Sequence, residues 1–352
     1  MAIKITGVGS YIPNSVTPNQ AFESNEFYNE DGTRFNAENK IIIQKFRSIT
    51  GIDERRYVEN HLQNSDIAAF ASKKAIEDAH LDPEELDYII LAQNYGDVKF
   101  GSHQSDTVPS IATRVKQKLG IKNPKSVAYD VMFGCPGWIE GMIQAYAFIK
   151  AEMAEKCLVV GSETLSRVVD TNDRDSMIFS DGAGAVVLEK TEGEGGILAH
   201  ESATYAYDEA EYIFFGESFN KENTDRTRYI KMLGRKIYEF ALNHVPNAMK
   251  SCLEKANVDI KDVKKVLIHQ ANEKMDEAIV IRFYKLFDME MPKHIMPMSI
   301  DKLGNSSVAT IPTLYDLILK GEMENHQINE GDVIIFASVG AGMNINAIVY
   351  KA

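Results

Sequence analysis

Residues 74–93, "KAIEDAHLDPEELDYIILAQ", and residues 251–270, "SCLEKANVDIKDVKKVLIHQ", align without a gap at one constant offset. Each copy reads as the end of an amphipathic helix, a short polar turn and then an apolar β-rich run. That run is Ile89-Ile90-Leu91 in the first copy and Val266-Leu267-Ile268 in the second. A supersecondary unit written twice is the mark of a duplicated chain.

Outward from these blocks the correspondence continues with small shifts. "GCPGWIEGMIQAYAFIKAEM" (134–153) answers "GNSSVATIPTLYDLILKGEM" (304–323), "CLVVGSE" (157–163) answers "VIIFASV" (333–339), and "GAVVLEK" (184–190) answers "NAIVYKA" (346–352). Strands that alternate with helices, and that are written as continuous apolar runs, predict a mostly parallel sheet in each half. The expected class is therefore α/β, with two pseudo-equivalent halves at 1–190 and 231–352. Residues 191–230 mix acidic and aromatic side chains and have no counterpart in the series. They read either as an excursion near a substrate entrance or as a plain surface loop.

Composition removes several classes of function. Three cysteines, Cys135, Cys157 and Cys252, with no CxxC pair argue against a disulfide framework and a thiolate metal site. A net charge of −13 with scattered lysines and arginines disfavours nucleic acid as a partner. The start "MAIKITGVGSYIP" lacks the basic and apolar regions of a signal peptide, and no stretch approaches the length of a membrane span. The expectation is a soluble cytoplasmic protein with no membrane partner.

Four short stretches carry possible chemistry. In "MFGCPGW" (132–138), Cys135 stands between strand-like "SVAYDVM" and a helical pattern, and Pro136 fits the first helical position. A thiol there faces unpaired N–H groups and the positive end of the helix dipole, which favours thiolate. The plain alternative is a small buried hydrophobe, the reading that Cys157 and Cys252 keep. His269, in "LIHQANEKM" (267–275), ends an apolar run at the C-terminal edge of a parallel sheet, where open α/β folds place their sites. Asn305, in "DKLGNSSVATIP" (301–312), falls on Cys135 in the internal alignment, with Gly304 on Gly134; Asn-Ser at a helix start is also an ordinary N-cap. "SVGAGMN" (338–344) ends a strand in a small-residue turn whose N–H groups can approach a substrate, forming an oxyanion hole with the Cys135 N–H. "SDGAGA" (180–185) reads as a tight turn between strands, and neither glycine stretch has phosphate-loop spacing.

The order of cysteine, HQAN, GNSS and glycine turn on a duplicated α/β chain resembles the β-ketoacyl-acyl carrier protein synthase III family of thiolase-like condensing enzymes. Further motifs extend the resemblance over nearly the whole chain: "GVGSYIP" (7–13), "TGIDERR" (50–56), "LVVGSETLSR" (158–167) and "TNDRDSMIFSDGAGAVVLE" (171–189). It implies a layered αβαβα thiolase fold and a homodimer. Cys135 would take an acyl group from a coenzyme A or phosphopantetheine thioester, with the backbone N–H groups of Cys135 and Ala341 as the oxyanion hole. His269 and Asn305 would donate to the thioester carbonyl of malonyl-acyl carrier protein while it loses carbon dioxide, without a metal or redox cofactor. The setting implied is fatty acid or polyketide-type biosynthesis.

By the same resemblance, Arg174 matches a residue that packs on the adenine of coenzyme A. Lys274 falls on a basic residue for acyl carrier protein, with Arg235, Lys236, Arg282 and Lys285 as a local patch or as solvated helix positions. Val108 stands where many members carry a phenylalanine limiting the acyl pocket. Lys45 and Ile49 replace the tryptophan and arginine of the adenine clamp, which points to a longer or carrier-bound acyl donor rather than acetyl-coenzyme A. Alternatives on the same scaffold are a non-decarboxylating acyltransferase or hydrolase, and an inactive partner subunit of a ketosynthase heterodimer. A hydroxymethylglutaryl-coenzyme A synthase would need a carboxylate near the cysteine, and the sequence alone places none.

Overall fold

In the computed structural model, which describes residues 2–352, apolar runs become strands and amphipathic ones helices. The first half holds β1 (Ala2–Tyr11), β2 (Ser15–Pro18), α1 (Asn39–Thr50), β3 (Glu54–Tyr57), α2 (Asn64–Asp78), β4 (Tyr88–Ala92), α3 (Ile111–Lys118), β5 (Val127–Val131), α4 (Gly137–Lys150), β6 (Lys156–Thr164) and β7 (Asp181–Thr191). There follow β8 (Gly196–Thr204), β9 (Ile213–Glu217), β10 (Arg228–Met232), α5 (Gly234–Lys255), β11 (Val263–Ile268), α6 (Glu273–Lys285), α7 (Ile300–Leu303), α8 (Thr310–Leu319), β12 (Val333–Gly340) and β13 (Asn344–Lys351).

Nine strands stand in the order β11-β12-β13-β8-β1-β7-β6-β4-β5. All but β7 and β13 run in one direction. Within this order, β8-β13-β12-β11 repeats the pairing of β1-β7-β6-β4. Within the nine-stranded ladder the two halves share one rung, Ile3 opposite Gly196, and outside it Phe179 of the first half forms an isolated parallel bridge with Asn305 of the second.

Helices α4 and α8 fill the space between the halves. Trp138, Met142, Val308 and Leu314 pack with Val159 and Val186 on one side and Ile334 and Phe336 on the other. A helix buried on two faces reads as apolar all round, as "GWIEGMIQAYAFIK" and "TIPTLYDLIL" do. Helices α2 and α3 cover the outer face of the first sheet, and α5 and α6 that of the second. The layers are therefore α, β, α, β, α, with the first residues of the two central helices brought to one end of the molecule. Among the described residues, no helix is long and apolar enough to cross a membrane.

Three expectations need correction. Residues 196–204 are not part of an excursion: β8 pairs antiparallel with β13 as β1 does with β7, so it is the first strand of the second half. Its sequence, "GILAHESAT", is broken by polar residues because much of its length is only half-buried. "SDGAGA" lies mostly within β7 and is not a turn; its residues are small because α8 presses on them, and a Cβ on Gly184 would fall 2.7 Å from Pro312. Pro136 precedes α4 as its cap residue, with Gly137 as the first helical position.

Candidate active site

Strand β5 ends at Val131 and α4 begins at Gly137, so Cys135 sits in the corner between them. Gly134 has φ +67° and Gly304 φ +62°, the left-handed region at two equivalent corners of the duplicated chain, which a side chain would strain. Ser307 Oγ donates to Cys135 Sγ at 3.4 Å. Burial pushes the Cys135 thiol up to about 11, with the Glu163 charge adding to it, while the Ser307 hydroxyl and the backbone act the other way. The helix-start argument for a resting thiolate is thus outweighed by desolvation. The unreacted group is a thiol.

The "HQAN" stretch is spent residue by residue. His269 is 3% exposed at the end of β11, where burial pushes it down to about 3, so the imidazole is neutral. Its Nδ1 lies 2.7 Å from Thr310 Oγ1, which leaves Nε2 for the cavity. Gln270 accepts from the Ser299 N–H at 2.9 Å and pins the segment before α7. Asn272 caps α6, accepting from the Met275 N–H at 3.1 Å. In the "GNSS" stretch, the Ser307 N–H donates to Asn305 Oδ1 at 2.7 Å. That bond fixes the oxygen end of the carboxamide, so Nδ2 is the end presented to the cavity.

Across from Cys135 lies the turn between β12 and β13. A Cβ on Gly134 would fall 2.6 Å from Ala341 N, and one on Gly340 would fall 2.5 Å from Cys135 N. The two backbones therefore run in contact, with the amides of Cys135 and Ala341 on neighbouring stretches of wall. Among the described residues the Cys135 N–H has no backbone acceptor outside its own residue.

These groups line one cavity of about 270 Å³: Cys135, His269, Asn305, Ser307 and Ala341 supply its polar side. The rest is apolar, with Leu165, Phe179, Phe214, Phe215, Ile230 and Met232 among its walls. Phe214, Phe215, Ile230 and Met232 come from the β9–β10 hairpin, which is what remains of the excursion between the halves. Asn94 and Ser307 belong to the same wall and are not singled out by the sequence. Ser307 sits inside the quoted "GNSS", while "LAQNYGD" carries no pattern that distinguishes Asn94 from a turn residue.

A second cavity, of about 590 Å³, adjoins the first at Met232 and is lined by Lys45, Ile49, Arg174, Arg235 and Asn272. Arg174 donates from Nε to Asp175 at 3.1 Å and lies 5.2 Å from the Phe35 ring. Arg235 pairs with Glu239 at 2.9 Å, and the Lys236 ammonium lies 5.2 Å from the Tyr212 ring. Lys274 and Lys285 are exposed on α6, outside both cavities, and Arg282 reaches the Leu242 carbonyl on α5 at 3.1 Å. Val108 does not line the Cys135 cavity of its chain: it is 83% exposed, on a loop held outward where Arg114 bridges Asp97 and Asp106. Among the described residues no three His, Cys, Asp or Glu side chains gather as a metal site would require.

Comparison with known proteins identifies the family. Residues 129–206 match the family model described as 3-oxoacyl-[acyl-carrier-protein] synthase III, and residues 253–352 match that of its C-terminal part. A β-ketoacyl-[acyl-carrier-protein] synthase III of Cereibacter sphaeroides is 32% identical, over 99% of this chain and 98% of that protein. One from Halalkalibacterium halodurans is 33% identical, over 96% and 95%. The crystal structure of 3-oxoacyl-[acyl-carrier-protein] synthase III from Aquifex aeolicus superimposes with a TM-score of 0.81 at 30% identity, covering 100% of both chains. With family models on both halves, relatives of equal length and a thiolase-like fold, the chain belongs to the 3-oxoacyl-[acyl-carrier-protein] synthase III family of condensing acyltransferases.

Proposed function

We propose that this protein condenses an acyl group with a malonyl thioester in two redox-neutral steps. The Cys135 sulfur attacks an acyl thioester, the C–S bond to coenzyme A or phosphopantetheine breaks, and the thiol proton ends on the departing sulfur. The amides of Cys135 and Ala341 stabilise the oxyanion of the tetrahedral intermediate. Malonyl-acyl carrier protein then loses carbon dioxide, and the resulting enolate attacks the acyl-cysteine carbonyl. A C–C bond forms, the Cys135 sulfur leaves, and it recovers its proton from solvent.

The observation that carries this reading is a pair of neutral donors facing the nucleophile across one apolar cavity. Charge moves onto the thioester oxygen as carbon dioxide departs. An uncharged N–H and an amide stabilise it without drawing a proton away. The apolar wall receives the acyl chain. Lys45 and Ile49 at the mouth of the second cavity favour a longer or carrier-bound donor over acetyl-coenzyme A, and Arg174 and Arg235 attract its phosphates. Lys274 and Lys236 extend that positive edge towards an acyl carrier protein. The working form is a homodimer in the cytoplasm, acting in fatty acid or polyketide-type biosynthesis.

Two measurements test the reading. Intact mass after incubation with coenzyme A and carrier-bound acyl thioesters shows an adduct that Cys135→Ser abolishes. Carbon dioxide release from malonyl-acyl carrier protein then follows adduct formation. An adduct with no carbon dioxide release would replace the condensing reading with simple acyl transfer.

A further inference from the structure

Behind the Cys135 cavity runs a chain of polar groups that the condensation itself does not employ. Asn94, in the turn after β4, is held at both ends of its carboxamide. The Gly134 N–H donates to Oδ1 at 3.1 Å, which identifies that end as the oxygen. Nδ2 therefore faces Glu163 and Ser307, donating to Glu163 Oε1 and, at 3.3 Å, to Ser307 Oγ. The Ser307 hydroxyl donates in turn to Cys135 Sγ. Ser307 adopts φ +53°, a left-handed backbone that costs a serine strain and that here aims its hydroxyl at the sulfur. Glu163, at the end of β6, is 1% exposed.

The geometry points to Asn94 and Glu163 as further positioning residues of the Cys135 site, joined to the sulfur through Ser307 in a carboxyl–amide–hydroxyl relay. A hydroxyl that accepts from an amide N–H becomes a stronger donor to the atom beyond it. Asn94 thus improves the hold of Ser307 on a developing thiolate, and through Gly134 it also fixes the corner that carries the sulfur. Glu163 modulates both effects. As a neutral acid it leaves the amide shared with Ser307; as a carboxylate it draws the amide to itself and sets a negative charge near the sulfur.

Burial lifts the Glu163 carboxyl to about 8 against the pull of the Asn94 donor, and the charge of Asp181 on β7 raises it further. Tyr95, beside Asn94, and Cys135, before α4, are the other titratable groups that face it. The relay accordingly loses its advantage as pH rises through about 8.

This inference rests on the reading of Cys135 as the nucleophile, so its test uses no acyl substrate. The full-length protein is alkylated with iodoacetamide from pH 6 to 9.5, and modification of Cys135 is timed by peptide mass spectrometry. The sulfur–carbon bond forms as iodide leaves. Cys157 and Cys252, both fully buried, serve as internal controls. Asn94→Ala and Ser307→Ala should each slow alkylation at pH 7.5 by about tenfold, as loss of one charge-assisted hydrogen bond does, and the double variant should be no slower than either. Glu163→Gln, which keeps shape and acceptor, should alkylate roughly threefold or more faster than the parent above pH 8. Additive losses in the double variant, or a Glu163→Gln profile that superimposes on that of the parent, would overturn the relay. The Glu163→Gln profile decides even where Asn94→Ala fails to fold. Failure of Cys135 to accept any acyl group, beside the expected alkylation profiles, would instead count against the condensing reading.

Discussion

Thr310 Oγ1 lies 2.7 Å from His269 Nδ1 and 3.0 Å from the Ser307 carbonyl oxygen, and one hydroxyl proton serves only one of them. Turned to Nδ1, it places the imidazole's own proton on Nε2, the nitrogen left for the cavity; kept on the carbonyl, which can only accept, it makes Oγ1 the acceptor of an Nδ1–H. Condensation needs the Nε2–H form, and Thr310→Val removes the hydroxyl that can select it. Release of carbon dioxide from malonyl-acyl carrier protein should fall by about five- to tenfold, the worth of one hydrogen bond, with less effect on Cys135 acylation. Equal loss in both assays would mean that Thr310 acts on packing alone.

Acidification should reveal the buried imidazole as a stability slope. Burial pushes His269 down to about 3 in the folded chain, whereas an unfolded histidine takes a proton near 6.5. The unfolded state therefore binds the extra proton between these values. The contribution of His269 is fully present above about 6.5 and is lost as pH falls towards 3, at roughly 1.4 kcal/mol per pH unit. Denaturant titrations at pH 7 and 5 should show it, and His269→Gln should flatten the slope.

Asn305→Asp keeps the shape of the side chain but presents a carboxylate where the enolate develops. Decarboxylation should drop by about 10² to 10³, the cost of removing one preorganised donor. Acyl transfer to Cys135, followed by intact mass, should persist. Loss of acylation to the same degree would place Asn305 in the first step.

Lys231, 1% exposed, places its Nζ 2.6 Å from Asp170 and 3.1 Å from Asp173. It fastens β10, and with it the apolar wall of the cavity, to the segment that carries Arg174. Lys231→Met strands two buried carboxylates and should cost ~3–5 kcal/mol by chemical denaturation at pH 7.5. Burial raises the Asp173 carboxyl to about 6, so part of that loss should return at pH 5, where it takes up a proton.

The duplication is legible because both faces of each central strand are buried. Ile89-Ile90-Leu91 and Val266-Leu267-Ile268 are written as unbroken apolar runs. β8 is not legible, since its half-buried length admits His200, Glu201 and Ser202 and hides the repeat. At the site, Cys135 and His269 stand out because each sits between a strand and a helix, and Asn305 because it falls on Cys135 in the internal alignment. Asn94, Ser307 and Thr310 do not: what distinguishes them is a hydrogen bond to a residue far along the chain, and local spacing carries no record of such a bond. Glu163 lies inside a quoted strand motif, yet only the fold shows that a carboxyl there is closed off from solvent.

The seam between the halves has a further consequence. With one rung in the ladder, Ile3 opposite Gly196, and one isolated bridge, Phe179 with Asn305, backbone pairing alone offers limited resistance to sliding of one half over the other. The brake is the shape of the interior: Trp138 meets Phe336 edge-on at 5.7 Å, and Tyr315 meets the same ring at 5.3 Å. Alignment of the sulfur with its two partners is therefore in good part a matter of volume, set by how aromatic rings interlock between the halves, and trimming one of those rings would detune the chemistry while every ladder stayed whole.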